Sequence, residues 1–149
     1  MSDDQLSSTH PITVSINKTN EAESIFDGIS YGKGASFLKQ LHYILSHETM
    51  EKGLHVYFKE FAWKNTELKD FVKCLHDAYV QSGDKSMGPD FNVTEWSDSW
   101  LSTSGTNILE PFPEEDESGN LKSILIEQTI DLRGQNRIRT HKIDVAVYD

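Results

Sequence analysis

His47-Glu48-Thr49-Met50-Glu51 has the opening of a metal-binding helix. A zinc-protease helix of the form His-Glu-x-x-His sets two imidazoles one turn apart, with the intervening glutamate polarising a bound water. Position 51 is glutamate, so the second imidazole is missing. A histidine and a glutamate four residues apart on a charged face are more often solvated than metallated, and the stretch is read that way. The six histidines, His10, His42, His47, His55, His76 and His141, show no second pair at ligand spacing and no cysteine cluster beside them.

Nucleophilic chemistry is equally unsupported. Ser30 and Ser104 lie in no Gly-x-Ser-x-Gly elbow, and Cys74 has only His76 nearby, two residues away and so on a different helical face. Glu114-Glu115-Asp116-Glu117, between Pro113 and Ser118-Gly119, can attract cations but reads as a solvated loop. The glycines from Gly28 to Gly34 lack the Gly-x-Gly-x-x-Gly order of a dinucleotide loop.

The elements that would position these residues fall into two halves. Residues 1–16 carry polar turn formers and then alternating Ile12, Val14 and Ile16, the pattern of an extended arm. Pro11 pushes His10 out of the helical region. From about Asn20 to Leu101 the apolar period is helical. Phe37, Leu38, Leu41 and Leu45 share the face of a helix starting near Ser30. Met50, Leu54, Tyr57, Phe58 and Phe61 mark a second, capped by Ser46, with Glu48 at its positive end. Leu68, Phe71, Val72 and Leu75 mark a third, entered through Asn65 or Thr66. After a Gly-, Ser-, Asp- and Pro-rich loop over residues 82–90, Asn92 and Glu95 have capping-box spacing ahead of Trp96, Trp100 and Leu101.

Past Gly105 the period becomes two. Ile124, Ile126 and Ile130 predict one strand and Ile143, Val145 and Val147 another, with Asp131 to Asn136 as the hairpin connection. Two strands alone are marginal, so the sheet is expected to need strands from outside this sequence, a sign of truncation.

A net charge of −10 leaves too little Lys and Arg for phosphate binding, which argues against nucleic acid as a partner. No stretch approaches the roughly 20 apolar residues of a membrane span, and no basic-then-apolar leader opens the chain. The single cysteine forbids an internal disulfide and fits a reducing, cytoplasmic setting, though a parent protein can be membrane-associated or secreted.

The block Ile25-Phe26-Asp27-Gly28-Ile29-Ser30-Tyr31-Gly32-Lys33-Gly34-Ala35-Ser36 resembles the one that follows the zinc site in the aminopeptidase N family of zinc metallopeptidases. Four further stretches resemble the same family in order: residues 4–12; Gly53 to Tyr57 with Asn65-Thr66; Trp96 to Asn107; and His141 to Asp149. The resemblance spans essentially the whole chain. It implies an α+β architecture: residues 1–104 as the helical rear part of a thermolysin-like catalytic domain, and 105–149 as the first strands of a β-sandwich-type domain.

By the same resemblance Tyr31 is the catalytic residue, its hydroxyl donating a hydrogen bond to the oxyanion that forms during hydrolysis of an N-terminal residue from a peptide substrate. The structural alternative is a half-buried tyrosine anchoring a helix start. Lys33 and Gly34 match the motif too; Lys33 can instead pair with a carboxylate, and Gly34 can serve close helix packing. Zinc is the implied cofactor, yet the sequence contains no His-Glu-x-x-His, no third-ligand glutamate of the family and no Gly-x-Met-Glu-Asn loop. Without metal there is no activated water, so the isolated chain is expected not to cleave peptides. Three readings stand: a fragment of a zinc aminopeptidase, an inactive peptide- or protein-binding module, or one half of a split enzyme whose partner bears the zinc.

Overall fold

The computed structural model describes residues 9–13, 28–130 and 137–148, with backbone only at Ile29. Among the described residues, four helices and one antiparallel two-stranded sheet follow in order: α1 (Gly28–Leu45), α2 (His47–Glu60), α3 (Leu68–Ser82), α4 (Val93–Leu101), β1 (Asn107–Glu115) and β2 (Leu121–Ile130). The architecture is α+β, as expected.

Helical period sets the core. Phe37, Leu41, Ile44 and Leu45 of α1 meet Met50 of α2, Val72, Leu75 and Tyr79 of α3, and Val93, Trp96, Trp100 and Leu101 of α4, all buried. Phe37 stacks on Trp96 with ring centroids 5.5 Å apart. Leu38 and Phe58, expected on these buried faces, are exposed. Phe58 directly follows Tyr57, so it lies about 100° round the helix from it. Tyr57, not Phe58, turns inward to meet Phe61 and Phe71, at centroid distances of 5.5 and 5.4 Å.

Gly53 allows α2 and α3 to close on each other. A Cβ there would stand 2.6 Å from Leu75 Cδ2 and 3.1 Å from Leu75 Cα. Gly34, expected to serve such packing, has nothing within 4 Å of a Cβ, so the close approach belongs to Gly53.

Capping follows the sequence in two of three helices. The Ser46 hydroxyl accepts from the Thr49 N–H at 3.4 Å, and Asn92 Oδ1 accepts from Thr94 N–H at 2.8 Å and Glu95 N–H at 3.2 Å. The third helix is entered one residue later than expected: Glu67 precedes it, its backbone N–H donating to Asp70 Oδ2 at 2.9 Å.

The β half departs further. β2 contains Ile124, Ile126 and Ile130 as predicted, but its partner is β1, with Phe112 opposite Leu125 and Asn107 opposite Ile130. β1 escaped detection because Pro111 and Pro113 lie within it, residues tolerated only on an edge strand, and because its acidic end reads as loop. Glu114 is therefore a strand residue, accepting from Lys122 Nζ at 2.6 Å and Ser123 Oγ at 2.9 Å across the pair. Only Asp116 to Asn120 turns: Asp116 N–H donates to the Asn120 carbonyl at 2.8 Å, and Gly119 takes a φ of 80°. The hairpin connection expected at Asp131 to Asn136 lies outside the described residues, as do Val14 and Ile16 of the arm.

Ile143, Val145 and Val147 form no strand. Among the described residues no strand edge pairs with that segment, and alternation without a partner edge does not make a ladder. The segment is held to α1 instead: the Tyr43 hydroxyl donates to Asp144 Oδ1 at 2.6 Å, and Lys142 Nζ donates to the Tyr43 carbonyl at 3.3 Å.

Candidate functional site

Tyr31 is the fourth residue of α1, and its side chain is 68% exposed. Lys33, two residues on, lies about 200° round the helix. Accordingly Lys33 is buried, its Nζ donating to the Thr103 carbonyl at 2.8 Å just past the end of α4. The helix thus faces the core through Lys33, Phe37 and Leu41 and presents Tyr31 on its outer side.

Behind Lys33 sits a residue that sequence reasoning missed. Arg139 is 2% exposed, and its guanidinium donates to the carbonyls of Ser99 (3.1 Å), Ser104 (3.0 Å) and Gly105 (3.0 Å) and to the Thr103 hydroxyl. The Ser99 carbonyl belongs to the last turn of α4, where the dipole's negative end favours a cation, and Ser104 and Gly105 lie in the segment just past it. Trp96 Nε1 adds a bond to the Thr140 carbonyl at 2.8 Å. Between these elements a cavity of about 190 Å³ is lined by Lys33, Phe37, Gln40, Trp100, Asn107 and His141. Burial first, and the Arg139 charge second, hold the His141 imidazole below its ordinary pKa.

The His47-Glu48 motif is solvated, as its spacing implied. Glu48 accepts from Lys52 Nζ at 2.7 Å, with both side chains well exposed, and that hydrogen bond lowers the carboxyl's pKa. Cys74 is buried, and desolvation raises its thiol pKa, which is the state of an unreactive packing residue. Among the described residues no group of three or more His, Cys, Asp or Glu is placed to hold a metal ion. The described side chains therefore do not fit a catalytic zinc, and no step through such an ion is derived from them.

One pairing was invisible to spacing rules. His42, in the last turn of α1, and His47, the first residue of α2, approach to 3.4 Å between Nε2 and Nδ1. Residues five apart in one helix diverge by about 140°. Ser46, alone between the helices at φ 69°, breaks the helix and turns the two rings together. The predicted Ser46 cap was the available signal.

Residues 1–100 match the Peptidase family M1 domain. The chain is 38% identical over 151 residues to aminopeptidase N of Streptomyces lividans, an alignment covering 98% of this chain and 16% of that protein. It is 37% identical over 107 residues to glutamyl aminopeptidase of Sus scrofa, covering 72% of this chain and 10% of that protein. It is 33% identical over 125 residues to puromycin-sensitive aminopeptidase of Caenorhabditis elegans, covering 84% and 12%. The chain belongs to peptidase family M1. It spans less than a fifth of the length of these relatives. No described helix is long and apolar enough to cross a membrane.

Proposed function

We propose that this chain is the tyrosine-bearing part of a zinc aminopeptidase that removes N-terminal residues from peptides. Tyr31 is the residue that acts on substrate, and residues outside this sequence supply the metal. Its hydroxyl donates a hydrogen bond to the oxyanion that develops on the scissile carbonyl. Such a donor is worth about 3 to 4 kcal/mol of barrier where it is preorganised.

The observation that carries the reading is the position of Tyr31: an exposed phenol on the first turn of a helix whose opposite side is anchored by Lys33. A tyrosine serving only as a helix anchor would turn its ring into the core, as Tyr79 does at 3% exposed. Rigid backing is what a transition-state donor needs. The same proposal divides the chain near residues 104 and 105 into a helical catalytic part and the start of a β domain.

Because the matched relatives are far longer, the test uses one of them as the frame. The segment of the Streptomyces lividans aminopeptidase N that aligns with this chain is replaced by it. The chimera should hydrolyse a fluorogenic aminoacyl substrate, and Tyr31→Phe should lower kcat by about 10² to 10³ while leaving KM nearly unchanged. A Tyr31→Phe chimera with undiminished kcat overturns the role. The 149-residue chain alone should show no turnover with added zinc; turnover there would mean that it holds a complete site.

A further inference from the structure

The geometry points to a surface binding site for a borderline divalent transition ion such as Zn²⁺ at the α1–α2 junction, with His42 Nε2 and His47 Nδ1 as the two protein ligands. Zinc takes imidazole nitrogen at about 2.0 to 2.1 Å in tetrahedral geometry, which sets two ligand nitrogens roughly 3.3 to 3.4 Å apart. The two nitrogens here stand 3.4 Å apart.

Both rings are exposed, with centroids 5.7 Å apart and planes at 65°. The two nitrogens form a hydrogen-bonded pair, one ring's N–H donating to the other's lone pair. A bound ion displaces that proton, and a modest rotation of each exposed ring aims both lone pairs at the ion without disturbing the core. The backbone holds the pair in place. Ser46 keeps a left-handed φ of 69° and bonds Thr49 N–H through its hydroxyl, so the first turn of α2 is fixed directly beneath the last turn of α1. A strained non-glycine residue persists where its surroundings demand it, and here it is the one residue between the two helices that carry the histidines. The negative end of the α1 dipole near His42 and the positive end of the α2 dipole near His47 oppose each other, so binding rests on the two imidazoles and not on the helix dipoles.

No third His, Cys, Asp or Glu joins the pair among the described residues, so water completes the coordination shell and the affinity depends on both imidazoles. His42 lies eleven residues from Tyr31 on the same helix, about 16 Å along its axis, and the inference does not rest on the role proposed for Tyr31.

The test is calorimetric titration of the 149-residue chain with zinc chloride at pH 7.5, beside His42→Gln, His47→Gln and, as control, His55→Gln on an exposed stretch of α2. One ion should bind per chain; each of the first two substitutions should weaken binding about tenfold or more, and the control should leave it unchanged. Long-range ¹⁵N spectra of the unsubstituted chain read the ligands without any variant. Zinc should move His42 Nε2 and His47 Nδ1 and leave the His55 ring alone. Absence of saturable binding, unchanged affinity in either His42→Gln or His47→Gln, or ring shifts elsewhere only, each overturns the site.

Discussion

The guanidinium carbon of Arg139 lies 4.9 Å from the ring centroid of Trp100, stacked over an indole that is itself part of the buried core. The same guanidinium donates to three carbonyls around the end of α4, so one side chain binds residues 137–148 to the helical half by both stacking and hydrogen bonds. Arginine suits this place because its planar fork serves several acceptors at once and stays charged, which an ammonium cannot match.

Arg139→Ala should lower stability in urea by about 3 kcal/mol, since it removes the guanidinium's hydrogen bonds to buried carbonyls and uncovers an indole face. Arg139→Lys should recover less than half of that loss. Equal stability for the lysine variant would show that charge alone suffices and that the fork does not matter.

Two glycines should respond in opposite directions. Gly53→Ala forces a methyl to within 3.1 Å of Leu75 Cα and 3.3 Å of the Cys74 carbonyl, backbone atoms that cannot move aside, and should destabilise by about 1 to 3 kcal/mol. Gly34→Ala meets nothing within 4 Å and should stabilise by up to about 1 kcal/mol through helix propensity. Chemical denaturation of the pair is the measurement; a stabilised Gly53→Ala would mean that the helices separate at little cost.

Ser46 combines a cap with a strained backbone. Ser46→Gly relieves the left-handed φ and gives up little capping energy, so a gain of about 1 kcal/mol is expected. Ser46→Ala keeps the strain and loses the hydroxyl, and should cost about 1 kcal/mol. Thermal melts of both variants decide it, since a loss in the glycine variant would remove strain as the feature of this junction.

His141 carries a pH dependence of definite sign. Its folded-state pKa is lowered by burial and by Arg139, so the folded form disfavours the charged imidazole relative to the unfolded chain. Its contribution is present above the ordinary value near about 6.5 and is lost as pH falls from there through the lowered folded value. His141→Gln should flatten the decline of stability measured across that window. An unchanged slope would assign the decline to other groups.

The local pattern of residues established much of this protein. Apolar spacing placed four helices, Ser46 and Asn92 announced two helix starts, and the Ile124–Ile130 alternation marked β2, because periodicity and capping involve neighbours in the chain. The ordered motif blocks around Tyr31 placed it in its family. What depended on distant contacts was hidden. β1 contains prolines that local rules assign to loops, and only its pairing with β2 makes it a strand; the Ile143–Val147 alternation lacks such a pairing and makes none. Arg139 reads as one more surface charge until a helix end 36 residues earlier in the chain surrounds it, and Gly53 matters because Leu75 stands against it. His42 and His47 have no ligand spacing along a straight helix. The break at Ser46 brings them together, and the chain's turn in space, not their separation in sequence, makes them a pair.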